Sequence, residues 1–227
     1  MVKCFFVTGT DTEVGKTLVT QALMKATVES GRKVVGYKPV ASGCVLLEGE
    51  LKNSDALTLQ ANSSIPLPYT MHNPYAFAPA IAPHIAAAQA NESISLSRLS
   101  EGLAQLKATA VDCIFVEGAG GWRLPINERQ YLSDWAKVEH LPVILVVGAR
   151  LGCINHALLT LEAIRHDGLV VAGWVLNHID PQMSEFEANV AALKLRINAP
   201  LLGEIPWLGA EVSESVHNFI DVSPLLT

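Results

Sequence analysis

A loop that contains two glycines and a lysine is the first feature of the sequence that could do chemistry. It reads Gly-Thr-Asp-Thr-Glu-Val-Gly-Lys-Thr over residues 9–17, and its last three residues match the end of a Walker A phosphate-binding loop. In such loops backbone N–H groups bind phosphate oxygens, the lysine reaches the β- and γ-phosphates, and the threonine hydroxyl binds Mg²⁺. The first glycine stands one place earlier than usual. The prediction of a nucleotide site therefore depends on the order strand, loop, helix, and we expect Lys16 to be solvated in the empty site.

Three more charged side chains lie where they could complete this site. Glu117 directly follows the apolar run Cys-Ile-Phe-Val, and Lys38 comes one residue after a predicted strand. Asp55 stands at the start of a short predicted helix. A carboxylate at a strand end can face a metal held by Thr17, which makes Glu117 and Asp55 candidate magnesium ligands. Asp55 is also explained as a helix cap, and Lys38 as an exposed strand-end lysine. The glycine-rich turn after Glu117 would let the backbone approach a ligand closely.

Two later segments are suited to a nucleotide base. Asn177 ends a predicted strand, where its amide could bind a purine edge, and Pro206-Trp207-Leu208 follows the last strand and could wall the base. A turn asparagine and a half-buried tryptophan are the structural alternatives. Residues 177–180 also have the N-x-x-D outline of a guanine-binding loop. The usual lysine is missing there and Pro181 follows, so a GTPase is disfavoured.

Alternating apolar and amphipathic segments must position these groups. Strands are predicted at residues 3–8, 33–37, 113–116, 142–147, 170–176 and 201–205. Helices are predicted at residues 16–30, 54–61, 95 or 97 to 110, 132–138, 153–165 and 184–195. Five of the twelve prolines fall within residues 66–83, which predicts a long irregular loop, a type of segment that is often functional. The pattern predicts one α/β domain over residues 1–227: a doubly wound, mostly parallel sheet with helices on both faces, similar to P-loop NTPases.

Composition limits the class of protein. Half of the residues are hydrophobic and 17% are charged, which excludes a disordered chain. The net charge of −6 argues against nucleic acid or an anionic membrane as partner. The apolar runs at residues 4–7 and 143–147 are too short for a signal peptide or a membrane span. Four scattered cysteines predict neither a disulfide framework nor a zinc site, so we expect a soluble, cytoplasmic protein.

Taken in order, the motifs resemble those of dethiobiotin synthetase, an enzyme family of biotin biosynthesis. The resemblance runs from residue 1 to about residue 208 and rests on six segments. Besides the loop at 9–17 they are Gly-Tyr-Lys-Pro-Val-Ala-Ser-Gly at 36–43, Asn-Ser-Asp at 53–55, Val-Glu-Gly-Ala-Gly-Gly-Trp at 116–122, Leu-Gly-Cys-Ile-Asn-His at 151–156 and Leu-Gly-Glu-Ile-Pro-Trp at 202–207. It implies an ATP- and Mg²⁺-dependent ligase that carboxylates 7,8-diaminononanoate with CO2 and closes a cyclic urea.

The resemblance also implies residue roles. The nucleotide phosphates would be held by Glu13, Val14, Gly15, Lys16, Thr17 and Leu18, and approached by Gly118, Ala119 and Gly120. Mg²⁺ would be held by Thr17, Asp55 and Glu117. The base pocket would be lined by Asn177, His178, Pro206, Trp207 and Leu208. The catalytic groups would be Lys38, Lys16 and Thr12, with Ser42 and Thr12 on the substrate. The family is a homodimer, so the substrate carboxylate would be received by the partner subunit's Gly152, Cys153 and Asn155.

The chain departs from the family pattern in three places. His178 stands where family members carry Asp, residues 123–131 differ, and the resemblance assigns no role to Glu211 or Glu214 after Leu208. Two other classes with related loops stay as alternatives. A partitioning-type switch ATPase would carry a signature lysine at position 11, where this chain has Asp11. The synthetase half of a cobyrinate-type amidotransferase would need an appended glutaminase domain, which we do not expect, since the sequence ends at Thr227.

Overall fold

A parallel sheet forms the centre of the computed structural model, which describes residues 2–209 and 215–227. The ten strands are β1 (Lys3–Gly9), β2 (Val34–Tyr37), β3 (Val40–Ser42), β4 (Val45–Leu47), β5 (Glu50–Lys52), β6 (Tyr75–Phe77), β7 (Cys113–Gly121), β8 (Val143–Ala149), β9 (Val171–His178) and β10 (Leu201–Ile205). Six of them pair in the order β10-β9-β8-β1-β7-β2, and every pair in this sheet is parallel. Glu211 and Glu214 lie outside the described residues.

Helices cover both faces of this sheet. They are α1 (Lys16–Glu29), α2 (Ser54–Ala61), α3 (Tyr69–His72), α4 (Pro83–Gln89), α5 (Leu96–Lys107), α6 (Leu132–Val138), α7 (Cys153–His166), α8 (Phe186–Arg196) and α9 (Ser223–Leu226), with a 3-10 turn at Val216–Phe219. The predicted doubly wound α/β architecture is confirmed. The bounds of α2, α6 and β10 are those that the sequence predicts, and the other long elements differ by a few residues at their ends.

Two apolar cores explain why the chain adopts these layers. Successive residues of β1 alternate between them: Phe6 belongs to one core, whereas Phe5 and Val7 belong to the other. Helices α5 to α8 contribute side chains to the first core, including Leu99, Trp135, Leu161 and Leu193. The second core takes residues from α1, α2 and the C-terminal segment, including Val19, Leu59, Val216 and Leu225. Each fully buried leucine contributes about 2 kcal/mol, so the sheet is held from both sides.

Strand β7 is longer than the sequence predicts. It was expected to end at Val116 and turn, but it continues through the glycine-rich stretch to Gly121. The neighbouring strand supplies the pairing partners, with Val7 opposite Glu117 and Gly9 opposite Gly121. A Cβ at Gly118 would lie 3.1 Å from the ring of Phe6, so the absence of a side chain there allows close packing. Because of this extension, Glu117 is a buried residue of β7 near the carboxyl end of the parallel strands.

The proline-rich stretch is more regular than expected. It contains α3 and β6, and β6 pairs in parallel with β3 in a separate two-stranded sheet. Strands β4 and β5 form an antiparallel hairpin beside it. Segments of three or four residues are too short to produce a recognisable hydrophobic period, which is why the sequence indicated only a loop. Across the described residues no helix is both long enough and apolar enough to cross a membrane.

Candidate active site

The glycine-containing loop joins the end of β1 to the start of α1, in the order that the motif requires. Glu13 and Gly15 have positive φ values of 60° and 87°, and α1 begins at Lys16. Lys16 is 8% exposed, and its Nζ donates a hydrogen bond of 2.9 Å to the Asp11 carbonyl. The expectation that Lys16 is solvated is therefore wrong, because the loop folds over its side chain.

Lys38 lies at the centre of a buried charge cluster. Its Nζ donates to Glu117 Oε1 at 2.6 Å and to the Gly118 carbonyl at 3.1 Å, and it forms an ion pair of 3.0 Å with Asp55 Oδ2. These three acceptors match the three protons of an ammonium. Lys38 is 3% exposed, so the alternative of a solvated strand-end lysine is excluded. Its position is set by β2, which ends one residue before it.

The carboxylates set the charge states in this cluster. Burial by itself would lower the pKa of Lys38, but the attraction of Glu117 and Asp55 outweighs it and raises that pKa above its usual range. Burial raises the pKa of Asp55, whereas the charge of Lys38 and the hydrogen bond from its ammonium hold that pKa below its usual range. Lys38 is thus held as an ammonium and Asp55 as a carboxylate.

Lys16 has the opposite tendency. Burial is the main cause, and repulsion by Lys38 adds to it, so that the pKa of Lys16 falls from 10.5 to about 8, against the attraction of Glu117, Asp55 and Asp11. A buried ammonium whose pKa is lowered is incompletely paired, and further negative charge beside it would stabilise it. Phosphate oxygens of a nucleotide would supply that charge.

The oxygen groups beside the loop fit a magnesium ion. Thr17 Oγ1 donates to Glu117 Oε1 at 2.9 Å, and Glu117 Oε2 is buried with no hydrogen-bond partner in the structure. Asp55 is joined to Glu117 through the Lys38 ammonium, which pairs with both carboxylates. Mg²⁺ is usually bound by one or two carboxylates together with phosphates and waters. This set of oxygen donors suits Mg²⁺. Within the described part of the chain, no cluster of three or more His, Cys, Asp or Glu side chains forms an alternative metal site.

One cavity of about 320 Å³ is lined by half of the expected site residues. It is lined by Thr12, Glu13, Gly15, Lys16, Thr17, Lys38, Ala41, Ser42, Asn53, Asp55, Glu117, Ala119 and Gly120. The side chains come from loops and strand ends that are far apart in sequence. Because parallel strands end at the same edge of the sheet, these residues converge on one side of it.

Other expected residues lie elsewhere. Val14 is buried, Leu18 packs partly buried against the second core, and Gly118 offers its carbonyl to Lys38. Asn177 is 4% exposed, and its Nδ2 donates to the Val14 carbonyl at 3.0 Å, so this amide binds the phosphate loop.

The expected base-pocket residues lie at the ends of β9 and β10. The His178 ring stacks on Phe186 with centroids 4.2 Å apart. Trp207 is 48% exposed and Pro206 is exposed, while Leu208 is partly buried. None of the three lines the cavity with Lys16 and Lys38.

Residues 152–155, which are expected to receive the carboxylate of the substrate bound in the other subunit, lie at the start of α7. Gly152 and Asn155 are exposed, and Gly152 has a φ of 92°. The Cys153 thiol is buried and its N–H already donates to the Arg150 carbonyl at 3.0 Å, so the expected role of Cys153 in binding the carboxylate is wrong.

Some residues of the site were missed by the sequence argument. The cap of α2 is Asn53, whose Oδ1 accepts from the Asp55 and Ala56 N–H groups, so Asp55 does not itself cap the helix. Arg150 forms an ion pair with Asp11 across the loop. Since Arg150 directly follows β8, the strand-end rule that selected Glu117 could have found it.

Comparison with known proteins indicates the family of the chain. Residues 3–215 match the family model described as AAA domain. The chain is 50% identical over 226 residues to the ATP-dependent dethiobiotin synthetase BioD of Aeromonas hydrophila subsp. hydrophila. The match covers 100% of both chains. It is also 50% identical to ATP-dependent dethiobiotin synthetase BioD 1 of Salmonella typhi, with 99% of each chain covered.

Solved structures show the same fold at low identity. A ParA family ATPase from Chlorobium tepidum has a TM-score of 0.56 at 16% identity, over 100% of this chain and 96% of that one. The MinC:MinD cell division complex of Aquifex aeolicus has a TM-score of 0.55 at 14% identity, over 96% of this chain and 86% of that one. At full length and half identity to its curated relatives, the chain belongs to the ATP-dependent dethiobiotin synthetase family.

Proposed function

We propose that this protein carboxylates 7,8-diaminononanoate with CO2 and closes the product to the cyclic urea dethiobiotin, converting ATP to ADP and phosphate. The supporting observation is the pair Lys16 and Lys38 on one cavity with Thr17, Asp55 and Glu117. Two buried cations beside a magnesium-type donor set suit the transfer of a phosphoryl group.

The first step forms a carbamate. One neutral amine of the substrate attacks the carbon of CO2, a C–N bond forms, and the nitrogen loses a proton to give the carbamate anion. Ammonium groups close to the substrate disfavour a charged amine by repulsion, which helps to keep it nucleophilic. Lys38 would stand beside the carbamate, while Thr12 and Ser42 on the cavity wall would orient it by hydrogen bonds.

The second step makes the carbamate reactive. A carbamate oxygen attacks the γ-phosphorus of ATP, the bond to the bridging oxygen breaks, and ADP leaves, which produces a carbamic-phosphoric mixed anhydride. Lys16 and Lys38 would neutralise the charge that spreads over the transferred oxygens. A magnesium ion held by Thr17, Asp55 and Glu117 would neutralise the same charge when bound.

The third step closes the ring. The second amine attacks the carbonyl carbon of the anhydride, the C–O bond to phosphate breaks, and the nitrogen loses a proton. A five-membered cyclic urea and free phosphate result. No covalent bond to the protein is needed, so positioning and charge stabilisation account for the work of the residues.

The nucleotide base would lie near Asn177, His178 and the segment Pro206, Trp207 and Leu208. The exposed Trp207 ring is available for contact with a flat base, and the Asn177 amide lies at the end of β9. A GTPase is disfavoured because the Asp180 carboxylate accepts a hydrogen bond from the Gln182 N–H at 3.0 Å, which holds it in its own turn. A guanine-binding aspartate must instead face the base.

Each site would be completed by a second subunit. Gly152 and Asn155 are exposed at the start of α7, and the neighbouring Leu151 is 90% exposed, as expected for a surface covered in a dimer. A carboxylate at a helix N-terminus gains hydrogen bonds and a favourable dipole. The partner subunit's Gly152 and Asn155 would therefore receive the substrate carboxylate.

A switch ATPase of the partitioning type is the second candidate, because its fold is the same. Its signature lysine would occupy position 11, but Asp11 there forms an ion pair with Arg150. A signature lysine acts as a cation at the phosphates, and an acidic residue cannot replace it. We therefore favour the ligase.

Phosphate release tests the proposed function. The chain is incubated with ATP, Mg²⁺, diaminononanoate and bicarbonate, and each component is omitted in turn. Release is expected only from the complete mixture, and Lys38→Met should abolish it. Lys33→Met is the matched control, since Lys33 is exposed and lies outside the cavity. Phosphate release that continues without the diamine would contradict a ligase and favour the switch ATPase.

A further inference from the structure

The proline-rich stretch of residues 66–83 holds the backbone of Lys38 from both sides. The Lys38 N–H donates to the His72 carbonyl at 2.7 Å, and the Asn73 Nδ2 donates to the Lys38 carbonyl at the same distance. His72 is fully buried, and Asn73 is 3% exposed. In a buried setting these bonds keep their geometry because water cannot replace them.

The same stretch reaches Asp55 through two more side chains. The Tyr69 hydroxyl donates to Asn73 Oδ1 at 2.8 Å and accepts from the Asn53 N–H at 2.8 Å. Asn53 caps α2, with its Oδ1 accepting from the Asp55 N–H at 3.0 Å. A continuous path of hydrogen bonds therefore runs from the Lys38 carbonyl to the Asp55 backbone.

The path also branches to the substrate side of the cavity. The Asn53 Nδ2 donates to the Ser42 carbonyl at 3.2 Å, at the end of β3. Lys38 follows β2, Ser42 ends β3 and Asp55 lies in the first turn of α2, so the hydrogen bonds join three different elements. The Tyr69 hydroxyl is the point at which the branches from Lys38 and Asp55 meet.

We propose that Tyr69 and Asn73 are positioning residues, which set the separation of the Lys38 ammonium and the Asp55 carboxylate. Neither residue lines the cavity, and each would act through the backbone of Lys38 or Asn53. This inference rests on the proposed function for its catalytic consequence. Its structural consequence, the placement of Asp55 toward Mg²⁺, can be measured without the reaction.

Tyr69→Phe is the test variant, because it removes only the hydroxyl. Tyr75→Phe is its matched control. The Tyr75 hydroxyl also makes two bonds, donating to the Ser93 carbonyl at 3.1 Å and accepting from the Ser95 N–H at 3.0 Å. Both rings are less than a tenth exposed, and both belong to the same stretch. The control therefore loses the same number of hydroxyl hydrogen bonds, but to Ser93 and Ser95, which do not line the cavity.

Two readouts separate positioning from stability. The first is kcat for phosphate release from the complete mixture. The second is calorimetric binding of ATP without diamine, over a range of MgCl2 concentrations. Tyr69→Phe should lower kcat by about tenfold or more and raise the MgCl2 concentration for half-maximal ATP binding by at least about threefold, as loss of a supporting hydrogen bond does at metal sites. Tyr75→Phe should match the parent in both readouts.

Equal behaviour of the two variants in both readouts would overturn the proposal, because it would reduce Tyr69 to a structural role. If the parent chain fails to release phosphate, the proposed function fails, but the MgCl2 dependence of ATP binding still decides the positioning role. If Tyr69→Phe does not fold, Asn73→Ser takes its place, since serine loses the donor to the Lys38 carbonyl while keeping a small polar side chain. An unchanged kcat and an unchanged MgCl2 dependence of ATP binding in that variant would also refute the proposal.

Discussion

Lys16 is held as a buried cation at a measurable cost to stability. Its pKa falls from 10.5 to about 8 on folding. Each tenfold loss of proton affinity corresponds to about 1.4 kcal/mol, so the charged ammonium costs about 3 kcal/mol at pH 7. Lys16→Met keeps the length of the chain and removes the charge. It also loses the bond to the Asp11 carbonyl, which is worth about 1 kcal/mol. At pH 7 the variant should therefore be more stable than the parent by about 2 kcal/mol, while ATP turnover is lost.

The sign of the pH dependence separates this cause from better packing. Between pH 8 and 10.5 the unfolded parent holds more protons than the folded one, so the contribution of Lys16 to the unfolding free energy rises with pH in this range. The methionine variant lacks that rise. By about pH 9.5 the cost of the ammonium has fallen to about 1.4 kcal/mol, and the advantage of the variant should nearly vanish.

Urea unfolding without nucleotide, followed by circular dichroism, measures both values. Lys33→Met is the control, because this lysine is exposed, and its effect should not change between the two pH values. An advantage of Lys16→Met that persists undiminished at pH 9.5 would refute the electrostatic reasoning. A variant that is less stable than the parent at pH 7 would do the same.

The proposed site also predicts responses to metal, base and subunit changes. Glu117→Gln and Asp55→Asn keep side-chain size but lose a charged oxygen, so each should raise the MgCl2 concentration for half-maximal turnover by about tenfold; an unchanged titration would leave that carboxylate a structural role only. ATP should be used in preference to GTP, and equal turnover with both, or loss of GTP use in Asp180→Ala, would contradict this. Asn155→Asp and Lys38→Ala subunits should each be inactive alone and recover turnover when mixed, because the heterodimer contains one intact shared site. Heterodimers without activity would exclude the shared site.

The sequence predicts the sheet and the centre of the cavity for a local reason. Long apolar strands and amphipathic helices carry their own period, so α6 and β10 could be bounded from residue types alone. Strand ends of a parallel sheet meet at one edge, which is why Lys16, Lys38 and Glu117 could be expected together before any coordinates. The ordered motifs also indicated the family that the comparisons then showed.

Tertiary structure alone decided the contacts between segments that are remote in sequence. The burial of Lys16, the bond from Asn177 to Val14 and the path from Tyr69 to Asp55 each join such segments. The short elements α3, β3 and β6 contain too few residues to show a hydrophobic period in the sequence. Strands β3 and β6 form because each supplies the hydrogen-bonding partner of the other. A residue type states which bonds a side chain can make, but the packed fold selects which of them it makes, because burial removes water as the competing partner.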